Sequence, residues 1–209
     1  MPAASDTDER LRRYWDRHAR SYDRQMSFFD RTLFGESRRW ICSRAGGRVL
    51  EVAVGTGLNL PLYPADVELT GLEWSPAMLD IARRRADGLG RTATLREGDA
   101  QEMRFDDASF DTVVATLSLC AIPDEKRAVA EMVRVLRPGG RLLLLDHVIA
   151  SAWPARALQR LLELVTVPLG GEHFRRRPLR HVEAAGLQIE ERDRFKLGIV
   201  ERIAARKPV

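Results

Sequence analysis

The run Val49-Leu50-Glu51-Val52-Ala53-Val54-Gly55-Thr56-Gly57 constrains the fold more than any other stretch of this chain. From Val49 to Val54 it is apolar apart from Glu51, and it ends in two glycines one residue apart. A continuous apolar run reads as a strand buried on both faces, which is the habit of parallel sheets covered by helices. Glycines directly after such a strand let the backbone of the turn approach a ligand closely.

The rest of the chain fits that frame. Arg48 to Ala53 reads as a first strand and Val67 to Glu73 as a second. Ser75-Pro76 opens a helix, with Ser as N-cap, Pro in the first turn and Ala77, Met78, Ile81 and Ala82 as its apolar stripe. Thr92 to Arg96 and Phe110 to Thr116 give two further strands. Asp124 caps a second helix with Val129, Met132, Val133 and Leu136 on one face, and Pro138-Gly139-Gly140 makes the turn that follows. Arg141 to Leu145 is a fifth strand. Residues 154–166 and 177–185 read as helices, and Leu187 to Arg192 with Leu197 to Ala204 as a strand pair with no helix between them. The prediction is a doubly wound α/β domain: a seven-stranded sheet, mostly parallel, with an antiparallel C-terminal edge strand. Residues 1–10 read as a frayed tail. Residues 11–45 are polar and aromatic and read as two helical pieces. The division expected is therefore an N-terminal helical lid over residues 1–45 and a globular domain over 46–209.

Several classes are disfavoured by composition. No apolar run reaches the length of a membrane span, and the N-terminus has no apolar stretch of the signal-peptide kind, so a cytoplasmic location is the default. Net charge is +4, from 34 Lys and Arg against 30 Asp and Glu, and the basic residues are spread along the chain, so no nucleic-acid face is expected. Arg83-Arg84-Arg85 reads as a solvated helix face, and Arg175-Arg176-Arg177 either as the same or as a contact for an anionic head group. Two cysteines, Cys42 and Cys120, are too few for a disulfide framework or a four-ligand zinc site, so no metal is expected.

In a doubly wound sheet the ligand lies at the carboxyl ends of the strands, which directs attention to Gly55–Gly57, Glu73, Asp99, Thr116–Cys120 and Asp146-His147. Glu73, 16 residues after Gly57, is placed to accept hydrogen bonds from the cis hydroxyls of a ribose. Asp99 is placed to accept from an exocyclic amine such as that of adenine. A nicotinamide cofactor wants a third small residue so that a helix can pack against its diphosphate; here that place holds Leu60, followed by Pro61. S-adenosylmethionine carries a ribose, an adenine and an amino-acid tail but no phosphate, and suits the turn better.

Four segments, "VLEVAVGTG", "GLEWSPAMLDIARRRA", "EGDAQEMRFDDASFDTVVATLSLCAI" and "EMVRVLRPGGRLLLLDHV", resemble in order and spacing the class I methyltransferase superfamily, in the branch typified by ubiquinone/menaquinone C-methyltransferases. They span about half the chain. The resemblance implies a Rossmann-like sheet and S-adenosylmethionine as cofactor. It implies Glu51, Gly55 and Gly57 at the methionine end, Glu73 on the ribose, Trp74 near the adenine, Asp99 and Ala100 on the adenine edge, and Thr116 after the fourth strand. Tyr22 in "HARSYD" matches a tyrosine that often covers the cofactor. The family usually has Gly where this chain has Ala53. "TLSLCAIPDEKRAVAEMVRVLRPGG" with "LLDHV" and Trp153 is similar to alkyl-thiol methyltransferases, and "GTGLNLPLYP" to bacterial phosphatidylethanolamine N-methyltransferases.

Methyl transfer from a sulfonium is an in-line displacement, in which the protein orients the partners and excludes water. A base is needed only where the acceptor must lose a proton. His147, just past the fifth strand, is the candidate, with Asp146 to orient it; His18 and His173 are weaker ones. Cys120 is expected to line the pocket, and Tyr14, Trp15, Phe28, Phe29, Trp153 and the apolar helix at 157–167 to roof an acceptor site. The acceptor expected is small or lipid-like and largely apolar: a thiol, phenol or quinol, amine or ring carbon. A peripheral membrane contact is compatible with that, and oligomeric state is left open. The alternatives are an idle S-adenosylmethionine-binding module and a nicotinamide-dependent oxidoreductase.

Overall fold

A computed structural model describes residues 6–209. Its centre is a seven-stranded sheet: β1 (Arg48–Val52), β2 (Glu68–Glu73), β3 (Ala93–Glu97), β4 (Phe110–Thr116), β5 (Leu136–His147), β6 (Gln188–Phe195) and β7 (Val200–Arg206), in the order β3-β2-β1-β4-β5-β7-β6. The first five strands run parallel, and β7 pairs antiparallel with both β5 and β6. The antiparallel pairing lies at the C-terminal margin, with β7 one place inside the edge and β6 forming the edge itself. Strand order reverses between β1 and β4, which opens the crevice a ligand uses in this architecture.

Period-two alternation divides the core between the two faces. Leu50, Val52, Val113 and Leu144 pack with α4 (Glu125–Val135) and α6 (Pro178–Ala184) through Val129, Met132, Leu179 and Val182. Val49, Leu69, Val114 and Leu143 pack on the other face with α2 (Ser37–Cys42) and α3 (Pro76–Leu89) through Ile41, Leu79 and Ala86. The expected caps form: the Ser75 side chain accepts from Met78 N–H, and that of Asp124 from Arg127 N–H.

Two expectations need correction. Residues 6–10, read as frayed, belong to α1 (Asp6–Phe29), where Asp6, Asp8 and Glu9 in the first turn favour a helix start; residues 1–5 lie outside the described residues. A π-helical turn, Asp30–Phe34, continues α1 toward α2. β5 runs past Leu145, because Asp146 and His147 keep pairing with Glu201 and Val200 of β7. No helix among the described residues is long and apolar enough to cross a membrane.

Candidate active site

The ends of β1, β2, β3 and β4 face a cavity of about 690 Å³ including its open mouth. Tyr22, Ala53, Gly55, Glu73, Trp74, Asp99, Ala100 and Thr116 line it, and so do Trp15, Leu72, Met78 and the loop after β4 from Leu117 to Pro123 in part. A smaller cavity, about 250 Å³, adjoins it through Tyr22, Ala53, Gly55 and Thr116 and adds Arg38, Glu51 and Asn59.

The turn after β1 is shaped by backbone conformation. Ala53, Gly55 and Gly57 all have positive φ, at 55°, 59° and 81°. A Cβ on Gly57 would lie 2.7 Å from Leu60 Cδ1 and 3.3 Å from Ala82 Cα, so this glycine serves close packing of the turn on α3 and lines neither cavity. Ala53 occupies a left-handed conformation that costs a residue with a Cβ about 1–2 kcal/mol. The family's usual glycine at that place has this physical reason.

Glu73 is buried, and its two carboxylate oxygens accept from Ser75 N–H and Gly55 N–H, each at 2.8 Å. Burial raises its pKa, against the lowering effect of those backbone donors. A carboxylate offers about four acceptor positions, so two remain for a ligand's hydroxyls. Asp99 accepts from the backbone and side chain of Gln101, at 2.8 and 3.0 Å, which fixes it at the end of β3.

Glu51 marks the opposite end. Asn59 Nδ2 donates to its Oε1 at 2.8 Å and to Thr116 Oγ1 at 3.0 Å, while Glu51 Oε2 is buried. Burial pushes the Glu51 carboxyl up to about 7. Arg38 Nη1 donates to Asn59 Oδ1 at 3.1 Å and Arg38 Nε pairs with Asp30 at 2.8 Å. A carboxylate, next to the buried Tyr63 hydroxyl, and a guanidinium bordering one small cavity suit the ammonium and carboxylate of an α-amino acid, as the methionine tail of S-adenosylmethionine has. After β1 the chain makes a short 3₁₀ turn, Leu60–Leu62, instead of a helix aimed at a ligand, so the diphosphate site of a nicotinamide cofactor is not built there.

The chain matches the family described as "Methyltransferase domain" over residues 50–144. It is 30% identical over 212 residues to the ubiquinone/menaquinone biosynthesis C-methyltransferase UbiE of Citrifermentans bemidjiense, covering 94% of this chain and 88% of that one. It is 43% identical over 127 residues to the phosphatidylethanolamine N-methyltransferase of Cereibacter sphaeroides, covering 60% of this chain and 63%, less than two thirds, of that relative. The chain belongs to the S-adenosylmethionine-dependent methyltransferase family. A solved structure from Bacillus halodurans C-125, with a TM-score of 0.71 at 21% identity over 83% of this chain and 98% of that one, shares the fold.

Within this methyltransferase frame, Asp146 and His147 stand apart from the cavity. Neither is among the residues lining it. The reason is the extension of β5: both residues are held in the sheet by β7 and do not open into the mouth. Asp146 is buried; its Oδ2 accepts from Cys120 N–H at 3.3 Å and its Oδ1 from His147 N–H at 2.8 Å, and burial raises its carboxyl to about 7. The His147 ring stacks on Phe174 at 4.7 Å, its Nδ1 is buried without a partner, and burial lowers its pKa to about 4. Cys120 is buried behind the cavity wall, and burial next to Asp146 raises its thiol pKa well above the ordinary value.

Of the aromatics expected overhead, Trp15 and Tyr22 line the methyltransferase cavity, in edge contact at 6.3 Å, whereas Phe28, Phe29 and Trp153 are exposed. His18 bonds the Tyr14 carbonyl on its own helix, and His173 is partly exposed. The Arg175–Arg177 run is spent internally in part: Arg175 pairs with Glu163 at 2.6 Å, and Arg176 donates to the carbonyls of Leu119, Ile122 and Pro123. Sequence reasoning missed four residues. Asp16 accepts from Ser75 Oγ at 2.5 Å and Ala77 N–H at 3.2 Å, and Asp23 accepts from Thr56 Oγ1 at 2.6 Å and pairs with Arg85. These two aspartates pin α1 over the cavity; Arg38 and Asn59 are the other two. Asn59 follows the glycine turn closely enough to have been suspected. Arg38 carries no sequence signal that separates it from its 33 fellow cations.

Proposed function

We propose that the chain transfers the methyl group of S-adenosylmethionine, by direct in-line displacement, to a small or lipid-like, largely apolar acceptor. One observation carries the reading: Glu51, Glu73 and Asp99 lie along a single row of strand ends, beside an apolar rim formed by Leu117, Ala121 and Ile122. In this reading Glu51 and Arg38 hold the amino-acid tail, Glu73 the ribose, Asp99 and Ala100 the adenine edge. Trp74 packs beside the base, Thr116 and Gly55 border the tail, and Tyr22 with Trp15 roofs the site. When bound, the cofactor supplies an electrophilic methyl group already activated on its sulfonium.

The chain's own part is orientation and exclusion of water. The rim residues Leu117, Ser118, Ala121, Ile122 and Pro123 include no group that titrates. His147, with its pKa held near 4 behind the wall, is a weak base at neutral pH. Asp146 and His147 act here as a positioning pair: Asp146 anchors the Cys120 backbone and with it the loop that forms the rim. An acceptor that needs no protein base fits such a rim best, such as an amine in its neutral form or a ring carbon activated by its own oxygen. The two relatives are named for N-methylation of phosphatidylethanolamine and for a C-methylation in ubiquinone/menaquinone biosynthesis, and in each the proton released would pass to solvent at this rim. α1 serves as the roof of the site through Trp15 and Tyr22, while α2 belongs with the globular domain, where Ile41 and Cys42 pack against the sheet.

The test is transfer of label from methyl-labelled cofactor to a panel of alkyl thiols, phenols, quinols, ring-unsubstituted quinone precursors, simple amines and phosphatidylethanolamine. Turnover is expected among the apolar amines or quinols, with His147→Ala retaining most of it. Turnover confined to nucleic acid or other highly charged acceptors would overturn the reading. Tight cofactor binding without turnover on any acceptor would favour an idle binding module.

A further inference from the structure

We propose that α5 (Trp153–Gly170) is a docking helix that lays its outward face into the headgroup–acyl boundary of an anionic membrane. The proposal is independent of which acceptor is methylated.

The helix is built inside out. Its buried residues are Gln159, Glu163 and Gly170, while Trp153, Leu158, Leu161, Leu164, Val165 and Leu169 face solvent. Trp153 is 77% exposed, Leu164 71% and Leu161 62%. At about 100° per residue these six cover roughly 160° of the helix circumference, one continuous apolar flank. The expectation that this helix roofs the acceptor pocket fails for the same reason: its apolar side points away from the protein.

The inversion is enforced by polar contacts. Gln159 Nε2 donates to the carbonyls of Val148 and Phe174 at 2.9 and 3.1 Å, and its Oε1 accepts from Ala150 N–H at 2.8 Å. Glu163 accepts from Arg175 N–H and Arg175 Nε at 2.9 and 2.6 Å. Rolling the leucines inward would break all five bonds and strand a buried carboxylate. An apolar flank held outward by its own protein marks an interaction surface.

Charge selects the occupant. The charged residues α5 exposes are Arg156 and Arg160, and its one acid, Glu163, is buried against Arg175. Arg10 of α1 reaches the Pro168 carbonyl at the other end of the helix. A second copy packed face to face would set like arginines near one another. An anionic leaflet neutralises them, at about 1 kcal/mol, or fivefold, for each. A tryptophan at one end of an apolar flank bordered by arginines is the pattern of interfacial helices. The loop after α5 is fastened to the cavity rim by His173 N–H on the Cys120 carbonyl at 2.9 Å and by Arg176 on the carbonyls of Leu119, Ile122 and Pro123. A seated α5 is thereby in direct mechanical contact with the wall of the site.

The test is flotation of the full chain with vesicles of phosphatidylcholine alone or mixed with phosphatidylglycerol. The wild type is expected to float with the anionic vesicles. The Leu161→Asp/Leu164→Asp variant should lose about a hundredfold or more in partitioning, with far-UV dichroism and cofactor affinity unchanged. Arg156→Gln/Arg160→Gln should lose about 25-fold on anionic vesicles only. Should the aspartate variant not fold, the emission difference between wild type and Trp153→Phe decides, since it shifts to the blue on anionic vesicles if α5 inserts. Wild type that stays in the aqueous fraction, or a difference spectrum that does not move, overturns the proposal. So does a dimer in sedimentation that the aspartate variant abolishes while vesicles have no effect, which would assign the face to a second copy.

Discussion

At the end of β2 the carboxylate of the site is held by backbone N–H groups, whereas above the cavity α1 is held by side chains from far along the chain. Glu73 is fixed by the N–H groups of Ser75 and Gly55, two and 18 residues away. α1 is fixed by Asp16 and Asp23, which reach Ser75, Ala77, Thr56 and Arg85 across 33 to 62 residues. Floor geometry follows from the strands and is difficult to alter without unfolding the sheet. The roof rests on a few replaceable side chains, so it can be rebuilt for a different acceptor while the floor is retained.

The largest break in that comparison should come from Glu73→Ala. Cofactor affinity is expected to fall by about 2–4 kcal/mol, the cost of losing charge-assisted hydrogen bonds, and calorimetry showing unchanged affinity would remove the floor from the reading. Asp23→Ala should act on the roof alone. It is expected to cost about 1–2 kcal/mol, discounted because the pair with Arg85 is partly exposed. Hydrogen exchange should then speed up across residues 11–29 and stay constant in β1 and β4; uniform acceleration would show the two regions to be one unit.

Glu51→Gln sharpens the comparison through pH. The folded carboxyl is raised to about 7 from its ordinary value of 4.5, so the folded state binds the proton more tightly. That contribution is present at low pH and is lost as pH rises from about 4.5 to 7. Ligand-free wild type should therefore lose stability relative to Glu51→Gln over that window, read as the difference between their melting curves. Cofactor should restore more of it at pH 8 than at pH 5.5, because its ammonium pairs with the ionised carboxylate. Parallel curves without ligand would place Glu51 outside the charged set. The smallest effect is expected for Ala53→Gly, a gain of up to about 1 kcal/mol from relief of the positive φ, visible as a raised melting temperature with the cofactor affinity little changed.

The same division explains what the sequence revealed. The strand bounds from β1 to β4, the Ser75 and Asp124 caps and the places of Gly55, Glu73 and Asp99 at the strand ends follow from local patterns of burial and turn chemistry, and the family resemblance adds Trp74, Ala100 and Thr116. Asp16 and Asp23 did not, because an aspartate in an amphipathic helix looks the same whether it meets water or a distant serine. Asp146 and His147 were read as a loop because their pairing partner, β7, lies more than 50 residues further on. α5 was read with its apolar stripe inward because that is the ordinary arrangement, and the contacts of Gln159 and Glu163 that reverse it are tertiary.

β7 has a consequence for how the chain is made. It is synthesised after β6 yet lies between β5 and β6, and β6 has no other neighbour in the sheet. Until Val200–Arg206 leaves the ribosome, the Leu142–Leu145 stretch of β5 is an open apolar edge and β6 has nothing to pair with. Such an edge is a template for pairing between nascent chains. A slow codon run or a defect late in the message, well away from every residue of the cavity, would therefore be felt as aggregation during synthesis and not as a weakened enzyme.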